Sequence, residues 1–415
     1  MQKRLKKIGV GLVAVGLSIV LLLTAAMPIC EAGPGQEKVV KIGNLAVLTG
    51  PLASTGIPAN YGFFDGIRYL NEKGGIDGVK VKCMWEDVQY SISKMITAHK
   101  RLKAAGEMLE FSITSTLWEA MPGKYVEDEI PCLGFSPITA ALLTEPPWFF
   151  TGLPGWPELF ETTMKFFNDI WTEERPLRMG GICYEHPLPR SAFDTGFEFA
   201  PKYGVDYVGY EVIPAFGAID TTTEWLRLAG KKPDYVFLIV YGGSLVTVTK
   251  DYARLNIRQK GVEYVGAPAT VDEQILNIVR QSGEGCLVVQ AISRYHLEEL
   301  GGAAPLLEAA EKYRGWGYDR ISINYIYGWF FAHILFEGVT LAIEEVGFEN
   351  LTGRAIRNGL ANIRDFDFGF APFIPPFTIS DDFPHLLRTL RLFKVQQGEM
   401  VAVSDHFPSC VDLVL

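Results

Sequence analysis

The chain has 415 residues, which is too long for one ordinary hydrophobic core and predicts about two domains. Its formal charge is −10 at pH 7, and basic residues form a run only within the first seven positions. This acidic balance argues against a nucleic-acid-binding surface and against a surface for anionic membranes.

The N-terminal segment has the pattern of a secretory signal peptide. Basic residues precede an apolar run from Ile8 to about Leu23, and small residues follow. We expect residues 1–32 to be removed on export, although the apolar run approaches the length of a membrane anchor. Cys30 offers the alternative of a lipid anchor, but Met27-Pro28-Ile29 lacks the small residue that a lipoprotein signal usually places before its cysteine. The expected location is the periplasm.

Strands and helices alternate after this segment. Apolar alternation predicts strands, and apolar residues three and four apart predict helices. The predicted strands are Val39–Leu48, 79–85, 111–114 and 131–135, and the helices are Ala59–Lys73, 93–105 and 117–129. This order predicts a parallel, doubly wound sheet.

A second α/β set follows the Pro- and Gly-rich stretch at residues 145–160, which we interpret as a crossing between lobes. Its predicted strands are 179–184, 207–212, 235–240 and 285–291, and its helices are 158–171, 191–203 and 221–229. The helix at about 327–346 is apolar nearly all round, but its His and Glu residues favour a core helix over a membrane span. The less regular C-terminal part is expected to return to a lobe. The predicted fold class is α/β, with two Rossmann-like doubly wound lobes.

No motif of a common enzyme class occurs in the sequence. It contains no Walker loop, no G-x-S-x-G, no H-E-x-x-H and no C-x-x-C, and the six histidines lack metal-ligand spacing. We therefore predict no catalysis, no cofactor and no metal. Glu86 and Asp87 are neighbours on a strand and point to opposite faces, which favours a turn or hydrogen-bonding role. Four cysteines in apolar, strand-like runs are expected to be buried free thiols, namely Cys83, Cys132, Cys183 and Cys286.

Hydroxyl residues at strand-to-helix junctions form the candidate site. Ser115 and Thr116 follow the third strand, Thr139 follows the fourth, and Tyr241 follows a buried strand of the second set. Hydroxyls and the free N–H groups at such junctions can hold a carboxylate. An ordinary helix cap is the alternative interpretation of each junction. Similar junctions in both lobes that face one cleft would clamp a small ligand.

Five stretches in chain order resemble a known family. They are KIGNLAVLTGPLASTG, GIRYLNEKGGIDGVKVKCMWEDVQY, SITSTLWEAMPGKYVEDEIPCLGFSPITAALLT, KPDYVFLIVYGGS and GEGCLVVQAISRY. Together they are similar to the periplasmic substrate-binding proteins of ABC importers, in the leucine/isoleucine/valine-binding branch. The resemblance implies lobe 1 at 38–153 and 289–374, lobe 2 at 154–288 and 375–415, three crossings, and a ligand enclosed by hinge bending. It also implies delivery to a permease of the inner membrane, and we expect a monomer.

The resemblance also implies roles for individual residues. Ser115 matches the family's hydroxyl for the ligand carboxylate, Thr139 approximates a second, Tyr241 matches an aromatic or hydroxyl contact, and Tyr184 is a weaker match. In amino-acid binders of this family, an acid pairs with the ammonium group of the ligand. At the corresponding position this chain has Ala267-Pro268-Ala269, and Asp272 or Glu273 is the alternative source of that acid.

These departures favour a carboxylate or amide solute over a branched-chain amino acid. Trp85 and Trp118, with Tyr241, suggest an aromatic one, although core positions for these rings are the alternative. An exported hydrolase-like enzyme and a ligand sensor for a membrane receptor are the alternative functions.

Overall fold

The computed structural model describes residues 37–113, 118–137, 142–299, 303–367, 369, 376–381 and 389–409. Two sheets organise the described chain, and we call each sheet with the helices packed on it a lobe. The sheet of lobe 1 is entirely parallel, with strand order β2-β1-β3-β4-β5. Its strands are β1 (Val39–Ala46), β2 (Lys80–Asp87), β3 (Glu110–Ser112), β4 (Cys132–Pro137) and β5 (Phe149–Leu153).

The sheet of lobe 2 has the order β12-β11-β10-β9-β8-β6-β7, and β13 pairs with β11. Strands β6 to β10 are parallel, whereas β11, β12 and β13 are antiparallel additions. The strands are β6 (Arg178–Tyr184), β7 (Asp206–Ile213), β8 (Tyr235–Ile239), β9 (Glu263–Gly266), β10 (Leu287–Gln290), β11 (Thr389–Gln396), β12 (Glu399–Ala402) and β13 (Phe407–Pro408). The predicted two-lobed α/β architecture is confirmed.

The chain crosses between the lobes three times. It enters lobe 2 after β5, returns to lobe 1 after β10 and reaches lobe 2 again before β11. Because all of β10 pairs in the second sheet, the second crossing follows Gln290 rather than residue 288. The helices are α1 (Ala53–Glu72), α2 (Ile92–Ala104), α3 (Pro122–Asp128), α4 (Trp156–Asp169), α5 (Pro187–Tyr203), α6 (Thr222–Lys231), α7 (Gly242–Arg254), α8 (Glu273–Val279), α9 (Ala303–Arg314), α10 (Ile323–Val346) and α11 (Gly353–Ala361).

Helices α1 and α10 form the tightest helix pair of lobe 1. A Cβ at Gly62 would lie 2.0 Å from the carbonyl oxygen of Tyr325, and one at Gly328 would lie 1.9 Å from that of Ala59. Only glycine permits this approach of two backbones. Although α10 is long and apolar enough to cross a membrane, most of it is buried against α1, α11 and β4, which confirms the predicted core helix.

Some elements differ from the sequence predictions. Residues 149–153 form the edge strand β5, where we expected only a crossing, and prolines are tolerated beside an edge strand. Helix α1 begins at Ala53 rather than Ala59 and contains Pro58. Helix α3 covers only Pro122–Asp128 of the helix predicted at 117–129. The described cysteines 83, 132, 183 and 286 are free thiols, while Cys30 and Cys410 lie outside the described residues.

Candidate functional site

A cavity of about 640 Å³, including its open mouth, lies between the two lobes. The carboxyl ends of strands from both sheets surround it, which is where open α/β sheets bind ligands. Lobe 1 contributes Leu52, Thr55, Tyr90, Ile113, Phe135, Pro137 and Leu153; lobe 2 contributes Trp156, Tyr184, Leu188, Ala215, Phe216, Tyr241 and Ala269. Strands β3 to β9 therefore each deliver a residue at or just beyond their ends.

The lining is aromatic and uncharged. Among the described lining residues there is no Asp, Glu, Lys, Arg or His, and the side-chain hydroxyls belong to one threonine and three tyrosines. The ring of Tyr241 meets Trp156 and Tyr184 edge to face, at centroid distances of 6.3 and 6.1 Å. Tyr90 and Phe216 make a similar contact across the cleft at 5.6 Å, which links the lobes. These surfaces suit a planar or apolar body.

Of the predicted site residues that the structure describes, Tyr184 and Tyr241 line the cavity. Burial raises the pKa of both phenols, so each hydroxyl stays protonated and can donate a hydrogen bond to a bound oxygen. Ser115, Thr116 and Thr139 lie outside the described residues.

The structure places Trp118 and Trp85 away from the cavity lining. Trp118 is fully buried, and its indole N–H donates to Glu110 at 3.2 Å. Trp85 is 52% exposed at the end of the edge strand β2 and packs against Phe64. An edge strand is covered only in part, which explains why Trp85 is neither in the cavity lining nor in the core.

The loop after β9 contains Ala269, which lines the cavity. The two candidate replacement acids are buried elsewhere. Asp272 accepts hydrogen bonds from Ile275 N–H at 2.8 Å and the Asn324 amide at 2.9 Å, and burial raises its pKa to about 7. Glu273 accepts from Ile323 N–H at 2.9 Å. Neither carboxyl belongs to the cavity lining.

The rim of lobe 1 is fixed by Asp87 at the end of β2. This carboxylate accepts from Leu48 N–H at 3.0 Å and from the Thr49 hydroxyl at 2.6 Å. Burial alone would raise the pKa of the Asp87 carboxyl. These hydrogen bonds and further ones have the larger combined effect, so the pKa is lowered. Asp87 thus holds the turn that leads to Leu52 and Thr55, and the predicted hydrogen-bonding role is confirmed.

Several residues that line the cavity were not predicted from the sequence. Trp156 begins α4, and Tyr90 follows the acidic end of β2. Tyr90 stands three positions after a recognisable strand end and Trp156 two positions before the predicted start of its helix, and these positions could have identified them. Phe216 lies after β7 in a stretch with no distinctive pattern.

Comparison with known proteins agrees with this architecture. The model of a periplasmic binding protein family matches residues 39–399. The chain belongs to this periplasmic binding protein family. A search of curated proteins finds no significant match.

Solved structures share the fold of this periplasmic binding protein at low identity. A branched-chain amino acid ABC transporter protein from Thermus thermophilus with bound valine has a TM-score of 0.79 at 19% identity, covering 90% of this chain and 98% of that one. A fatty acid ABC transporter substrate-binding protein from Thermomonospora curvata gives 0.76 at 18%, covering 91% and 94%. A solute-binding protein from Rhodopseudomonas palustris in complex with 3,4-dihydroxybenzoic acid gives 0.73 at 16%, covering 89% and 98%.

Proposed function

We propose that this protein is the periplasmic solute-binding component of an ABC importer, and that its solute is a carboxylate with an apolar or aromatic body and no ammonium group. The protein would act as a monomer, enclose the solute between its lobes and deliver it to the permease. The observation that carries the proposal is that the described lining residues are uncharged and largely aromatic; Ala269 is among them, in the loop where the family resemblance would place an acid.

The absence of charge from the described lining argues against an α-amino acid. An ammonium group removed from water without a counter-charge costs several kcal/mol. A carboxylate, by contrast, can be held by hydroxyls and backbone N–H groups alone. Tyr184 and Tyr241 supply such donors from lobe 2.

Donors from lobe 1 complete the proposed carboxylate site. We assign this role to Ser115, Thr116 and Thr139, following the family pattern. Ile113 and Pro137, which line the cavity, stand two or three positions before these residues in the sequence. The relatives that bind valine and 3,4-dihydroxybenzoic acid indicate that one fold serves both ligand classes.

Thermal unfolding of ligand-stripped protein tests the proposal. The panel is p-hydroxybenzoate, octanoate, valine and a neutral sugar. A solute at a hundred times its dissociation constant adds about 2.7 kcal/mol, which raises the melting temperature by roughly 3 °C for a chain of this size. We expect such a shift with an ammonium-free acid. A shift with valine alone refutes the solute class, and a shift with the sugar alone refutes carboxylate recognition.

A further inference from the structure

A buried polar cluster lies at the opposite end of the first sheet from the cavity. It consists of His99 on α2, Glu107 in the loop after α2 and Glu110 on β3, and these side chains are at most 1% exposed. Glu110 is the first residue of β3, whereas Ile113 lines the cavity just beyond the last. The cluster is therefore separate from the proposed solute site.

The three side chains offer ligand atoms at the spacing of a metal site. The Nδ1 atom of His99 lies 2.9 Å from Glu110 Oε2 and 3.8 Å from Glu107 Oε1. One ligand atom from each residue lies within 4.8 Å of the other two. Ligands on a tetrahedral zinc ion with bonds of about 2.1 Å stand about 3.4 Å apart. The two observed distances from Nδ1 bracket that value.

Neighbouring groups orient the ligand atoms. His99 Nε2 lies 3.3 Å from Asp128 Oδ2, so Asp128 can hold a proton on Nε2 when a cation takes the place of the proton that Nδ1 otherwise shares with Glu110 Oε2. Tyr125 O–H and Trp118 N–H both donate to Glu110 Oε1, which leaves Oε2 facing His99. Carboxylate–histidine pairs of this kind support metal sites.

Glu107 provides the independent sign of a missing partner. Both of its carboxylate oxygens are buried, and neither has a hydrogen-bond partner among the described residues. A Cβ at Gly43 would lie 1.6 Å from Glu107 Oε2, so β1 leaves space for the carboxylate at this position. A buried carboxylate without donors or a cation is costly. Without a cation, burial and the charges of Glu110 and Asp128 raise the pKa of this carboxyl well above its ordinary value.

We propose that His99, Glu107 and Glu110 bind a structural divalent cation of the zinc class. Two carboxylates and a neutral imidazole around one dication are electrically balanced. The charge of Asp128 is balanced separately by Lys103 and by Lys124, the latter at 2.9 Å. The ion would link α2, β3 and the loop between them, at the end of the first sheet opposite the cavity.

Metal analysis of the protein expressed from its full-length chain tests the proposal. We expect about one zinc ion per molecule after purification without chelators. Removal of the ion should lower the melting temperature by several degrees, and Zn²⁺ but not Mg²⁺ should restore it. The Glu107→Gln variant should lose the ion. Glu161→Gln is the matched control, because Glu161 is also buried with one unpartnered oxygen but lies on α4, and it should retain the ion.

A second measurement uses wild-type protein, so that the proposal is tested even if the Glu107→Gln variant does not fold. Wild-type protein refolded with Co²⁺ should show the visible absorption of a cobalt ion bound by nitrogen and oxygen. Wild-type protein that holds no zinc, and whose melting temperature does not respond to Zn²⁺ after refolding with the ion, overturns the proposal in favour of a protonated Glu107. Zinc retained at the wild-type level in Glu107→Gln overturns it as well. None of these outcomes depends on solute binding.

Discussion

Glu158, in the first turn of α4 beside the cavity, provides a test of the structure through pH. Its side chain is buried, and its Oε2 atom accepts a hydrogen bond from Gly155 N–H at 2.7 Å. Burial raises the pKa of this carboxyl to about 7, and the nearby charge of Glu161 contributes to the rise, while the Gly155 hydrogen bond opposes it.

The direction of the effect follows from proton linkage. The folded state holds the Glu158 proton more tightly than the unfolded state, so this contribution to stability is complete at low pH and is lost as pH rises toward the folded pKa. The difference between about 7 and the ordinary value of 4.5 corresponds to about 3 kcal/mol of unfolding free energy. The wild-type protein should lose about 2.5 kcal/mol of this unfolding free energy between pH 5 and pH 8.

Glu158→Gln removes this titration and keeps the acceptor for Gly155. Urea unfolding at pH 5 and pH 8, followed by tryptophan fluorescence, should show the variant gaining about 2.5 kcal/mol relative to wild type between the two conditions. Glu161→Gln retains the titration of Glu158 and removes only the smaller contribution of the Glu161 charge, so it should show a smaller change. Parallel pH dependence in wild type and Glu158→Gln would refute the reasoning.

Three further substitutions test the cavity and the core. Tyr241→Phe should weaken solute binding about tenfold, because the variant loses a hydrogen-bond donor. Tyr210→Phe is the control and should leave binding unchanged, because the Tyr210 hydroxyl donates to Asp194 outside the cavity lining. Equal affinities of the two variants in calorimetry would contradict this prediction. Ala269→Asp should exclude ammonium-free acids and admit α-amino acids, because its carboxylate needs a cation; unchanged selectivity in a thermal-shift panel would be the contrary result. Gly328→Ala should lower the free energy of unfolding by about 3 kcal/mol, because the new methyl group clashes with the backbone of α1. An unchanged urea midpoint would show that α1 and α10 can move apart without loss of stability.

Much of the fold was predictable because period-2 and period-3.6 patterns reflect which face an element buries. The edge strand β5 escaped because its short run lies between prolines and glycines that resemble a loop. The β11–β12 hairpin escaped too. Gln397 and Gly398 both adopt positive φ in its two-residue turn, and a Gln-Gly pair is a weaker hairpin signal than Asn-Gly.

The candidate site was predictable only where strand ends mark it. Tyr184 and Tyr241 follow that rule, because the carboxyl ends of parallel strands meet at one edge. The His99 cluster does not, since its members come from a helix, a loop and a strand with no motif spacing. Only the three-dimensional packing of these elements brings His99, Glu107 and Glu110 together.

Calorimetric titration of ligand-stripped protein with matched solutes tests the central claim most directly. The pairs are 3-phenylpropanoate with phenylalanine and isovalerate with valine, which differ only in the α-ammonium group. Because the described lining residues carry no charge, we predict that the ammonium-free member of a pair binds at least tenfold more tightly, since its partner would bury an unpaired charge. Tighter binding of either amino acid, or no binding by any of the four solutes, would contradict the account.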